Sequence, residues 1–213
     1  MLTIDELIVC LEWIGSIAFA ISGVMVAREA RMDLLGAVIL GCTTAVGGGT
    51  VRDLLLGQIP PSFFIDPSYT VIAAVTALIT FAVLYFRIRI PGKAVRYERI
   101  LNLTDTVGLA SFIIAGCQTE LSMGYRENAF LCIFVGTITG VGGGILRDLF
   151  AGQIPLVFRR RIYAVAAIIG TAVYYYAHDF TSELVSALLC IVVTITLRAL
   201  AIKGNWNLPR FQD

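Results

Sequence analysis

The chain has 213 residues, of which 58% are hydrophobic and 15% charged, with a net charge of +1. Soluble domains average about 45–50% apolar and about 25% charged residues. With a mean hydropathy of +0.85, composition excludes a soluble enzyme, a nucleic-acid binder and a disordered scaffold, and points to an all-α integral membrane protein. Residues 1–213 are expected to form a single transmembrane domain.

At the N-terminus, Asp5 and Glu6 stand where a cleaved leader would carry basic residues, and the apolar run that follows is too long for a leader's core. A bilayer core of about 30 Å takes roughly 20 apolar residues in helix. Segments 8–27, 68–86, 101–118, 162–177 and 184–202 meet that demand. Two more spans start at Leu34 and Ala129 and carry Gly47-Gly48-Gly49 and Gly142-Gly143-Gly144. The first apolar stretch continues to Ile65, which as one helix would run roughly 48 Å and overshoot the membrane. Glycine triplets make poor helix interiors, so spans two and five are expected to be broken or sharply kinked there.

Seven spans sort the basic residues onto two sides. One side collects Arg28, Arg31, Arg87, Arg89, Lys93, Arg96, Arg99, Arg159, Arg160, Arg161, Lys203 and Arg210, the other only Arg126. The positive-inside rule then puts the N-terminus outside and the C-terminus in the cytoplasm of a plasma-membrane protein. The basic connection around Arg87, Arg89, Lys93, Arg96 and Arg99 could also meet anionic lipid headgroups. Cys10, Cys42, Cys117, Cys132 and Cys190 fall inside apolar runs and read as small buried hydrophobes. With His178 alone in a polar stretch, no nucleophile–base pair or metal cluster is expected, and hence no enzyme, cofactor or metal.

Residues 47–60 read GGGTVRDLLLGQIP and residues 142–155 read GGGILRDLFAGQIP, identical at ten of 14 positions at an offset of 95. Upstream, GSIAFAISG at 15–23 matches GLASFIIAG at 108–116 at an offset of 93, with Glu12 opposite Asp105. The repeat thus covers a unit of three spans, about 7–86 and 101–177, with a seventh helix at about 184–203 left over. Because three is odd, the second unit enters the membrane from the opposite side. Such inverted repeats place their site near the midplane, where interrupted helices meet.

Arg52-Asp53 and Arg147-Asp148 put charge inside apolar runs, which defaults to a functional role because charge is costly in lipid. Neighbours on a helix point roughly 100° apart, so the arginines are expected to pair across the halves, Arg52 with Asp148 or Asp105, and Arg147 with Asp53 or Glu12. Freed glycine backbone at membrane depth would line a wet cavity. Ser16, Ser22, Thr43, Thr44, Thr104, Ser111, Thr137 and Thr139 extend the candidate lining, although such hydroxyls often bond the preceding turn. Gly136-xxx-Gly140 reads as a close-packing motif.

The duplicated GGGxxRD segments and WIGSIAFAISG in the first span resemble the prokaryotic branch of the trimeric intracellular cation (TRIC) channels over about residues 5–203. The resemblance implies a homotrimer with one pore per protomer, two inverted three-helix repeats plus a seventh helix, and conduction of monovalent cations, chiefly potassium. It also makes Gly47, Gly48, Gly49, Gly142, Gly143 and Gly144 the kink positions, at a constriction lined by spans two and five with spans one and four. Animal members carry basic residues in the fourth helix, whereas residues 101–118 hold no Lys or Arg, so gating of that kind does not carry over. Related bacterial domains are also labelled glycine transporters, which leaves secondary transport of a small zwitterion such as glycine as the alternative.

Overall fold

The computed structural model describes residues 4–86, 93–159, 162–204 and 206. Among these, nine helices and no strands form: α1 (Ile4–Glu29), α2 (Leu34–Leu55), α3 (Ser62–Ile65), α4 (Ser68–Phe86), α5 (Lys93–Ser122), α6 (Ala129–Phe150), α7 (Leu156–Arg159), α8 (Tyr163–His178) and α9 (Glu183–Lys203). Six of them (α1, α2, α4, α5, α6 and α9) have the length and apolarity to cross a membrane. The span expected at 162–177 coincides with α8, which at 16 residues is shorter than the rest. Helix α5 starts well before the expected 101, because its charged first turns extend the helix past the apolar run.

The order long, long, short, long occurs twice, as α1–α4 and as α5–α8. Equivalent caps start the second helix of each unit: Asp33 accepts from the Gly36 amide at 2.8 Å and Asn128 from the Leu131 amide at 3.0 Å.

Helices α2 and α6 run unbroken through their glycine triplets, so of the break or kink expected there, the break is corrected. Each stops instead two residues after its Arg-Asp pair. Gly57 and Gly152 take φ of 73° and 69°, a left-handed conformation that glycine enters without a Cβ penalty. The following amides close back on the helix, Gln58 on the Asp53 carbonyl and Gln153 on the Asp148 carbonyl, both at 2.8 Å. This is a Schellman ending. It resolves the overshoot, since the chain turns away after 22 residues.

The glycines serve close packing. A Cβ on Gly48 would overlap the Thr139 carbonyl, and one on Gly143 would overlap the Thr44 carbonyl. The contact is reciprocal: residue 48 meets 139, and their repeat equivalents 143 and 44 meet in turn, the signature of a two-fold relation. The pairing falls on α6 as it rises on α2, so the two helices cross antiparallel. The same reciprocity joins α1 to α5. A Cβ on Gly108 would strike Phe19, and one on Gly15 would come within 3.0 Å of Phe112, while the two rings stack at 5.4 Å. Backbones this close gain dispersion and weak Cα–H···O contacts instead of exposing polar groups.

Gly136 and Gly140 seat α6 on its neighbours within the protomer. Their faces press on Cys117 and Ile113 of α5 and, at Gly136, on Thr171 of α8. Cys117, Cys132 and Cys190 are buried in this core, as expected, but Cys10 is exposed and Cys42 half-buried. Helix ends meet as an alternating topology requires. The Tyr97 hydroxyl, near the start of α5, donates to the Met25 carbonyl and to Glu29 at the end of α1. At the opposite ends of the helices, Arg126 pairs with Asp179 at 3.0 Å. Of the proposed lipid-facing basic residues, Arg87, Arg89 and the side chains of Lys93 and Arg96 lie outside the described residues, and Arg99 is exposed.

Candidate functional site

The charged residues singled out from the sequence gather into two centres, one in each repeat. Both arginines stand in the last turn of their helix, past the glycine crossing. Because α2 and α6 are antiparallel there, the centres lie on opposite sides of it, roughly 18 Å apart along the helix axis at 1.5 Å per residue. They are not level with the point where the glycine triplets meet.

In the first centre Arg52 Nε donates to Asp53 Oδ1 at 2.8 Å. The other carboxylate oxygen, Asp53 Oδ2, accepts the Ser62 amide at 2.7 Å. Glu12 Oε2 accepts from the Tyr69 hydroxyl at 2.7 Å. The second centre repeats the framework with the same spacings: Arg147 Nε to Asp148 Oδ1 at 2.8 Å, and the Leu156 amide to Asp148 Oδ2 at 2.7 Å. In both, one aspartate therefore neutralises an arginine and caps the short helix that follows.

Pairing of each arginine with its own neighbour corrects the expected cross-pairing between halves. The 100° separation describes Cβ directions only, and the long arginine stem folds back until Nε reaches the adjacent carboxylate. The aspartate is already held by an amide from the returning chain, and a charge-assisted bond to it is stronger inside protein than in water.

The centres differ in what holds their second acid. Arg147, 1% exposed, also donates from Nη1 to Asp105 Oδ1 at 2.6 Å and to the Ser22 hydroxyl. Ser22 in turn donates to Asp105 at 2.6 Å. One guanidinium thus ties α6 to α5 and, through Ser22, to α1. Removing one member of such a buried set costs about 3–5 kcal/mol. Arg198 of α9 lies beyond, its guanidinium 4.5 Å from the centre of the Tyr163 ring and its Nε 3.4 Å from Thr106 Oγ1. Formally, the first centre sets Arg52 against Asp53 and Glu12, and the second sets Arg147 and Arg198 against Asp105 and Asp148.

The remaining candidates are dispersed around this frame. Ser16, Ser22, Thr44, Thr104, Ser111 and Thr139 are buried, and Thr43 and Thr137 are half-buried. Thr44, Thr139 and Thr104 donate to the carbonyls of Leu40, Val135 and Ile100 in the preceding turn, which turns these hydroxyls onto their own helices. The sequence reading missed Tyr69, Tyr163 and Glu120. The tyrosines carried a signal, for they match at an offset of 94 once one residue is dropped after the GQIP segments. Glu120 carried only its charge at the end of an apolar run.

A family model described as glycine transporter matches the chain twice, at residues 9–85 and 102–179. The UPF0126 inner membrane protein YadS of Escherichia coli (strain K12) is 38% identical over 208 residues, 96% of each chain. A structure from work on conductance through TRIC cation channels is 38% identical, with a TM-score of 0.83 and coverage of 100% of this chain and 98% of that one. The TRIC trimeric intracellular cation channel orthologue from Rhodobacter sphaeroides is 34% identical, with a TM-score of 0.83 over 93% of this chain and 98% of that one. Sequence and fold agree along nearly the entire length, and the chain belongs to the prokaryotic TRIC family of membrane proteins.

Proposed function

We propose that the chain is a monovalent cation channel, selective chiefly for potassium, working as a homotrimer in the plasma membrane with one pore per protomer. The observation that carries this reading is the likeness, over the whole chain at 38% identity, to a structure described as bearing on conductance through TRIC cation channels. The geometry adds to it. In this reading seven helices span the bilayer, the two triplets are inverted, and the pore runs beside the α2–α6 crossing, lined by those helices with α1 and α5. The glycine contact is the constriction, closed in the state described, and opening bends both helices at their triplets. The first centre then faces the outer mouth and carries one acid more than its arginine balances, which draws cations inward. The second centre faces the cytoplasm.

A second reading, secondary transport of glycine, rests on the description of the matching family model, since an arginine at a helix end can hold a carboxylate. Liposomes loaded with potassium chloride separate the two. Unitary currents whose reversal follows the potassium gradient are expected. Saturable glycine counterflow without current would replace the channel by the transporter.

A further inference from the structure

The two repeats bring an acid, an arginine and a tyrosine together at equivalent positions, but in two different arrangements. Glu12, Arg52 and Tyr69 of the first unit correspond to Asp105, Arg147 and Tyr163 of the second, at offsets of 93, 95 and 94. In the first centre the acid is held by the tyrosine, Tyr69 Oη to Glu12 at 2.7 Å, and the arginine's ion pair is to Asp53. In the second the acid is held by the arginine and Ser22. The Tyr163 hydroxyl, buried, has no hydrogen-bond partner among the described residues, although Asp105, Arg147 and Asp148 are among its charged neighbours. Asp105 is one methylene shorter than Glu12, and it points to Arg147.

A buried hydroxyl left without a partner costs about 1–3 kcal/mol. Its repeat equivalent shows the partner that such a hydroxyl takes. Resting on the channel reading above, we propose that Tyr163 is a positioning residue for conduction: when Arg147 releases Asp105, the Tyr163 hydroxyl takes its place. The second centre then adopts the arrangement already present in the first. Release of Arg147 unties the C-terminal end of α6 from α5 and α1 at once, since that guanidinium joins all three, and the tyrosine holds the acid in the released state. Ser22 biases the equilibrium toward the locked state. Its repeat equivalent is Ala115, which has no hydroxyl, so the first centre has no such bias.

The test is the open probability of the full chain in planar bilayers with symmetric potassium chloride, alongside thermal unfolding in detergent. Tyr163→Phe removes a hydroxyl that bonds only in the released state, so open probability falls about tenfold while the melting temperature does not drop. Ser22→Ala weakens the lock and raises open probability. Asp105→Glu lengthens the acid toward the tyrosine and raises open probability as well, but only while the hydroxyl is present, so the gain vanishes in the Asp105→Glu, Tyr163→Phe double variant. Wild-type open probability in Tyr163→Phe, or an equal gain from Asp105→Glu with and without the hydroxyl, overturns the proposal and leaves the channel reading standing. Absence of potassium current from the unmodified chain overturns both.

Discussion

Glu120 sits two residues from the C-terminal end of α5, fully buried, and among the described residues its carboxyl oxygens have no partner beyond the weakly donating Cys132 thiol. That helix end carries partial negative charge, so its position favours an acid no more than its burial does. Glu120→Leu is expected to raise the melting temperature, reflecting about 1–3 kcal/mol recovered from an unmet polar group. Scanning fluorimetry in detergent checks this, and a lower melting temperature for both Glu120→Leu and Glu120→Gln would mean that the acid has a partner in the assembled protein. Arg52, Asp53, Arg147, Asp148, Glu12 and Asp105 were all legible in the sequence because an ionisable group in an apolar run stands out. Their pairing was not. It depends on how far an arginine stem folds back and on an amide arriving from eight or nine residues downstream, and neither follows from residue spacing. Tyr69 and Tyr163 were hidden for a plainer reason: aromatic residues at the ends of apolar runs are ordinary, and only the extended repeat distinguishes these two.

Within each glycine triplet the three positions have different duties. Gly48 and Gly143 leave no room for a Cβ, because each lies against a carbonyl oxygen of the other helix. Gly49 and Gly144 have room, since an added Cβ would lie 3.7 Å from the Arg52 guanidinium at the first, and 3.9 Å from both the Arg147 guanidinium and the Tyr163 hydroxyl at the second. Gly48→Ala or Gly143→Ala should therefore separate the helices, abolish potassium flux and lower stability by about 1–3 kcal/mol or more, as overpacking does. Gly49→Ala and Gly144→Ala should retain flux. Stopped-flow flux from loaded liposomes compares the four, and equal loss in all of them would return the triplets to a purely conformational role. The sequence did show that the apolar runs containing the triplets were too long for one crossing. It located the interruption wrongly, because intrinsic propensity is a weak prior that tight packing overrides. The true stop lay in the glycine of the GQIP segment, whose left-handed turn needs a carbonyl three residues back to close on.

For the molecule as a whole, composition and repeat were enough to establish a helical membrane protein made of two like halves. The offset arithmetic anticipated residues that turn out to meet reciprocally, Phe19 with Gly108 and Phe112 with Gly15. How the halves interlock was not legible, since it depends on which small residues face each other. The asymmetry of basic residues predicts a cytoplasmic C-terminus. A phosphatase fused after Asp213 should be inactive and a fluorescent protein there bright, and the reverse pattern would invert the proposed orientation. Antiparallel contact between α2 and α6 has one more consequence. A crossing with no side chain between the backbones behaves like the rivet of a pair of scissors: the blades turn about it, but neither slides. Swinging one end of α6 must swing its other end the opposite way, so in the proposed channel a ligand, a lipid or a voltage that acts at one mouth alone is felt at both.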